Sequence, residues 1–303
     1  MALETVQKDT HRDALVLPPR RGKSPARSVL RFARQKPLAA AGGVVVIGLL
    51  LVALLAPVIA PYPYDQLNVI ERLQGPSGSH LFGTDNQGRD TFSRVVYGSQ
   101  VTVILSFGAV ALSTVVATLI GVVSGYFGGI VDMVIQRIVE IWQAFPGLIF
   151  VIFVVSIFGT GRIELIIVLG LLFGVGSSRV VRSATLSVRE LNYVEAAAAL
   201  GASHTRILLR HILPNVVPVV IVTASVQIGA VILAESSLSF LGFGTPPPFP
   251  SWGRMLQESQ QFMLQYPHLA FFPGAAIALV VYSLNMFGDG IRDVLDPRMR
   301  GTR

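Results

Sequence analysis

The sequence has no cysteine and little charge. Without a thiol among its 303 residues, neither a disulfide framework nor a thiolate metal site is available. Charged residues make up 14% of the chain, where a soluble domain carries roughly a quarter. Hydrophobic residues make up 52%, and the mean hydropathy is +0.62. These figures point to a protein built for a bilayer rather than for water. Lysine is scarce as well: Lys8, Lys23 and Lys36 are the three among 24 basic residues that are not arginine. A net charge of +7 would suit nucleic acid, but the basic residues sit at the ends of apolar runs instead of along one face, which argues against that partner.

The usual nucleotide and metal motifs are missing too. Gly22-Lys23-Ser24 ends like a phosphate-cradling loop, but position 17, where the earlier glycine belongs, is Leu17, and no strand precedes it. Gly242-Phe243-Gly244 lacks a third glycine and runs into Pro246-Pro247-Pro248, so it is no dinucleotide loop. The five histidines (His11, His80, His204, His211 and His268) are scattered and form no HExxH pair; each is expected at a surface or interface. No catalytic, cofactor-binding or metal-ligating residue is expected, and the chain is not expected to be an enzyme. If ATP drives its work, another chain must hydrolyse it.

What is present is a series of apolar runs. Residues 38–60 form a 23-residue stretch without a charge, long enough for a hydrocarbon core of about 30 Å at ~1.5 Å per residue. Further spans are expected over 101–123, 138–158, 163–181, 216–240 and 269–287, making six in an all-α integral membrane protein. Around them lie a basic tail (1–37), a turn-rich extracytoplasmic segment (61–98), a five-helix core (99–291) and a short tail (292–303). With the amino terminus inside, the inner segments hold 19 basic residues and the outer ones five. That excess places both termini in the cytoplasm. Three acids fall within spans: Glu140, near enough to Arg137 to pair along a helix, and Glu164 and Glu235, expected near the watered outer interface. Pro146 is expected to kink the third span.

One polar stretch, 190–215, interrupts the apolar pattern between the fourth and fifth spans. Glu195 to Leu200 is alanine-rich helix material. Gly201 can stop a helix with positive φ, Ser203 can cap a second one, and Pro214 ends that helix or starts the next. The stretch reads as helix, bend, helix against the inner membrane face. Its residues Glu195, Ala196, Ala197, Gly201, Leu213 and Pro214 resemble the EAA motif of bacterial ABC-importer permeases, although His211 stands where a branched apolar residue is usual. Two further segments resemble the C-type dipeptide/oligopeptide permeases of that family: His80-Leu81-Phe82-Gly83-Thr84-Asp85-Asn86-Gln87-Gly88-Arg89-Asp90 running on to Arg94, and Glu235 to Gly244 followed by Pro247, Pro248, Pro250, Ser251, Trp252 and Gly253.

The resemblance implies a type I importer permease fold in the bacterial inner membrane, with 190–215 as a coupling helix docked on an ATPase subunit. It implies a homologous B-type permease as partner, two ATPase subunits carrying ATP and Mg, an extracytoplasmic solute-binding protein, and a dipeptide or oligopeptide as cargo. Pro248, Ser251 and Trp252 are then the candidate contacts with the binding protein. Nickel complexes and other small solutes are alternatives within the same family. Outside it stand an ion-coupled carrier using Glu140 or Glu235, and a non-transporting scaffold.

Overall fold

The computed structural model describes residues 33–295. The chain divides at residue 37 into an amino-terminal unit, most of which lies outside that range, and a helical unit from Leu38 onward. The tails expected over 1–37 and 292–303 therefore fall largely outside the described residues. Those described form helices joined by turns, with one isolated bridge between Thr84 and Asp90.

Helix α1 (Pro37–Leu54) is followed by the short α2 (Ala56–Ile59). Pro57 separates them, since it has no N–H to offer the carbonyl of Ala53. That carbonyl accepts instead from the Gln100 side-chain amide at 2.8 Å, so no backbone acceptor is stranded among apolar neighbours. Helix α3 (Thr91–Phe127) begins with the Asp90 carboxylate accepting the Ser93 N–H. At 37 residues it is about 55 Å long and starts inside the segment expected to precede the membrane.

The expected third span, 138–158, is corrected by the structure. It is two helices, α4 (Gly129–Gln143) and α5 (Gly147–Phe158), which meet at 83°. Pro146 occupies the N-cap of α5; it cannot donate into α4, and it turns Phe145 away from helical backbone. The other spans are single rods at their centres: α6 (Arg162–Arg189), α9 (Leu213–Phe240) and α11 (His268–Leu295), with the short α7 (Asn192–Ala199), α8 (His204–Ile207) and α10 (Trp252–Ser259) between them. Among the described residues five helices are long and apolar enough to cross a membrane, or six when the bent pair is counted as one broken span.

Lipid gives helices no hydrophobic reason to associate, so close approach of small residues has to hold them together. At the crossing of α3 and α6, a Cβ added to Gly121 would lie 2.6 Å from Val181 Cβ, and one added to Gly174 would lie 2.8 Å from Val116 Cβ. Deeper in the bundle Gln227 of α9 ties both helices. It accepts from Ser113 Oγ at 3.0 Å and donates to the Phe173 carbonyl at 3.2 Å and to Ser177 Oγ. One amide thereby joins α3, α6 and α9 without leaving its own polar atoms unmatched.

Candidate functional site

The two ends of the bundle carry different chemistry. At one end, which we call the connector end, the polar stretch folds as expected. Leu200 and Gly201 follow α7, with Gly201 at φ +78°. The Ala202 N–H bonds back to the Ala197 carbonyl at 3.1 Å and the Gly201 N–H to Ala198 at 3.0 Å, the pairing that closes a helix through a left-handed residue. Ser203 then caps α8 by accepting the Arg206 N–H. Residues Leu208–Ile212 widen into a π-helical turn that runs into α9, whose first turn contains Pro214.

This hairpin has an inward and an outward side. Val194, Ile207 and Ile212 are buried and pack with Val122, Val181 and Val216. Glu195 and Ala196 are exposed, Ala197 is half-buried, and Leu200 stands 88% exposed at the tip. Gly201 and Pro214 are exposed, and Leu213 is half-buried beside the core. His211 sits in the π turn with its ring 6.1 Å from that of Tyr193. A second histidine anchors the hairpin: His204 Nδ1 is 2.8 Å from the Tyr126 hydroxyl near the end of α3. Behind the hairpin Arg182 of α6 grips Asp132 of α4 with two bonds, one of them 2.6 Å, while Ser124 of α3 donates to the same carboxylate. The hairpin therefore rests on a platform where α3, α4 and α6 are bonded together.

At the opposite end, here the latch end, the segment 80–94 and the helix α10 lock together. Asp85 is the hub. Its Oδ1 accepts the backbone N–H groups of Gln87 (2.8 Å) and Arg89 (2.9 Å), and its Oδ2 takes Arg89 Nε (2.6 Å) and Arg94 Nη1. The same two guanidiniums reach Glu258 of α10 at 2.8 and 2.9 Å, and Arg254 adds a third contact at 3.1 Å. Burial would raise the Glu258 carboxyl, but Arg94 and Arg89 outweigh it and hold it below the usual carboxylate range. A group depressed in the folded state contributes fully above its unfolded value, and the contribution is lost as pH falls through the folded value. Melting temperature should therefore be flat on the alkaline side of about pH 5 and fall on acidification below about pH 4; Glu258→Gln should remove part of that acid slope.

His80 is corrected from a surface residue to a buried one. It is 5% exposed, with Nδ1 2.9 Å from the Asp90 carboxylate that caps α3. Glu235 is corrected too: it is 2% exposed, not watered, and Ser239 Oγ donates to it at 2.6 Å. Glu140 pairs with Arg137 at 2.9 Å, as expected. Of the three residues expected to meet a binding protein, Pro248 is exposed, whereas Ser251 and Trp252 are buried. The Trp252 indole donates to the Val95 carbonyl at 2.9 Å and lies over Gly98, where a Cβ would come within 2.8 Å of the ring. Trp252 thus pins α10 to α3, and the outward surface here is the turn with Pro248 and Phe249. Arg162 braces that turn, its guanidinium carbon 3.7 Å from the Phe249 ring centroid, a cation–π contact. Sequence reasoning did not single out Glu258. Its partners Arg89 and Arg94 lie more than 160 positions earlier, so no local pattern pointed to it.

The helical bundle that carries the capped polar hairpin at one end and the locked loop cluster at the other has a known membrane-protein fold. Solved structures share it: the inward-facing methionine ABC transporter MetNI aligns with TM-score 0.57 at 18% identity over 67% of this chain and 96% of that chain. A crystal structure of an amino acid ABC transporter with histidines aligns with TM-score 0.50 at 16% identity, over 69% and 94%. The family follows from sequence. Residues 117–301 match the binding-protein-dependent transport system inner membrane component, and residues 24–76 match the N-terminal transmembrane domain of oligopeptide transport permease C. The chain is 40% identical over 277 residues to the dipeptide transport system permease protein DppC of Alkalihalophilus pseudofirmus, covering 91% of each. It is 41% identical to the glutathione transport system permease protein GsiD of Escherichia coli O157:H7, covering 89% of each. The chain belongs to the dipeptide/oligopeptide C-type family of ABC-importer permeases.

Proposed function

We propose that this chain forms half of the path by which an ATP-driven importer brings small peptides across the bacterial inner membrane. A homologous B-type permease supplies the other half. The connector end faces the cytoplasm, in keeping with the excess of arginine there, and α7 with its following bend docks on an ATPase subunit that binds ATP and Mg. The latch end faces outward, where a solute-binding protein delivers cargo against the turn containing Pro248. Dipeptide and glutathione are the cargoes named for the relatives, and both are small peptides, so that class is the best-supported substrate.

The observation that carries this reading is the two-sided hairpin. Val194, Ile207 and Ile212 are buried in the bundle while Glu195, Ala196 and Leu200 are left outside. Leu191, Tyr193, Leu200 and Leu209 are all exposed on this one short hairpin beside a row of alanines that permits close helix approach, the kind of clustered apolar surface that suits a docked partner. Pressure on that face would pass through the Tyr126–His204 contact and the Arg182–Asp132 pair to α3, α4 and α6.

The test uses Glu195→Lys and Gly201→Leu in the assembled transporter. No atom lies within 4 Å of a Cβ at Gly201, so its replacement costs only the left-handed backbone, about 1–2 kcal/mol, well below the 5–15 kcal/mol typical of a folded chain. Both variants should reach normal membrane levels yet lose peptide uptake and transport-coupled ATPase activity. Normal uptake by well-expressed variants would sink the coupling role.

A further inference from the structure

The spanning helices show, residue by residue, what they expect beside them. Along the middle of α3 the exposed large hydrophobic side chains are Ile104, Val115 and Leu119, an apolar stripe suited to lipid. Exposed hydroxyls elsewhere bond back into their own helices: Ser156 to the Ile152 carbonyl at 2.7 Å and Ser225 to Ile221 at 2.8 Å. Helix α11 starts in the same way, with Phe271 and Leu279 exposed. Its stripe then changes character. Tyr282 is 60% exposed, and Asn285 and Asp289 are exposed after it.

At 3.6 residues per turn these three side chains fall within an arc of about 60°. Among the described residues none of them makes a hydrogen bond or an ion pair. Asn285 stands beside Gly229 of α9, where a Cβ would come within 3.1 Å of its Oδ1, so the neighbouring helix leaves room for the amide without bonding it. Counting back from Arg292, Asn285 is about 10 Å and Tyr282 about 15 Å along the helix, the latter half the thickness of a ~30 Å hydrocarbon core. An amide left unbonded in alkane costs about 4–8 kcal/mol. Lipid is therefore excluded as the neighbour of this face.

We infer that Tyr282, Asn285 and Asp289 line the water-filled path at its inner half and touch a zwitterionic small peptide as it leaves. This rests on the transport reading above. The chemistry matches that cargo. The Asn285 amide offers both a donor and an acceptor to a peptide bond, and Asp289, nearer the connector end, offers a carboxylate to an ammonium group.

The absence of native cysteine makes the test direct. Single variants Tyr282→Cys and Asn285→Cys, with Val115→Cys and Leu119→Cys as lipid-facing controls, are assembled with the partner subunits in vesicles. They are treated with a charged, membrane-impermeant methanethiosulfonate, and labelling is read as the mass of this chain. A thiol reacts as its thiolate, which forms in water and not in hydrocarbon, so positions 282 and 285 should be modified at least ~10-fold faster than the controls. A dipeptide cargo should slow that modification, and modification should block uptake. Reaction rates equal to the controls, or fast reaction indifferent to peptide and harmless to uptake, would overturn the assignment. If the unsubstituted transporter shows no ATP-dependent peptide uptake, the transport reading fails; if it transports normally while Asn285→Cys stays inert, only the path lining fails.

Discussion

Asp85→Ala should cost the latch end about 3–5 kcal/mol, the usual loss when one partner of a buried charge cluster is removed. The carboxylate serves four donors at once, two backbone N–H groups and two guanidiniums. Arg94 and Arg89 are 3% and 9% exposed at their side chains, so neither can recover its loss in water. They would keep Glu258, but that acid alone would then face three guanidiniums. Asp85→Asn should fall between, because its carbonyl still accepts a backbone N–H while the charge is gone. Thermal unfolding of the purified complex measures both, and Trp252 fluorescence in a Trp142→Phe background reports whether α10 leaves α3. A loss below ~1 kcal/mol for Asp85→Ala would mean that the cluster is held by packing and that its charges are near break-even, as buried pairs often are.

That cluster also marks the limit of what could be read from the sequence. Helix number, the apolar spans and the helix–bend–helix form of 190–215 were legible because each rests on local chemistry: length against bilayer thickness, alanine runs, a glycine able to take φ +78°, a serine cap. Pro146 was legible as a break, though not as an 83° turn, because the angle depends on what α4 and α5 pack against. Trp252 was misread as a surface residue. Its neighbours Ser251 and Gly253 look like a loop, and nothing local says that Gly98, 154 positions earlier, leaves a slot for its ring. His80 and Glu235 failed in the same way. A polar residue in a turn or near a span end is expected to meet water; His80 is taken out of it by folding back onto Asp90, ten residues on, and Glu235 by the bundle packed around it, with Ser239 one turn along the same helix donating to its carboxylate. The helix–bend–helix that carries the candidate coupling residues was legible for the opposite reason: Glu195, Ala196, Gly201 and Pro214 are exposed, so their local form answers to helix chemistry more than to this chain's packing.

The second large effect is expected at the α3–α6 crossing. Gly121→Val places a branched side chain where even a Cβ would be 2.6 Å from Val181 Cβ, 2.7 Å from the Ser178 carbonyl and 2.8 Å from the Arg182 N–H. Two of those neighbours are backbone and cannot rotate away, so α6 must move as a rod. Overpacking costs typically ~1–3 kcal/mol, and the upper end or beyond is expected where backbone must shift. Gly176, on the same helix as Val181, is the control, because a Cβ there meets nothing within 4 Å. Gly176→Ala should be neutral or gain up to ~1 kcal/mol of helix propensity. The pair of substitutions thus has opposite signs for the same removal of a glycine, measured as melting temperature of the purified complex. Gly121→Val should also slow uptake, because displacing α6 pulls Arg182 from Asp132 and loosens the platform under the hairpin. If Gly121→Val and Gly176→Ala shift the melting temperature alike, the close crossing is not what holds α3 to α6, and the Gln227 bridge must carry that joint.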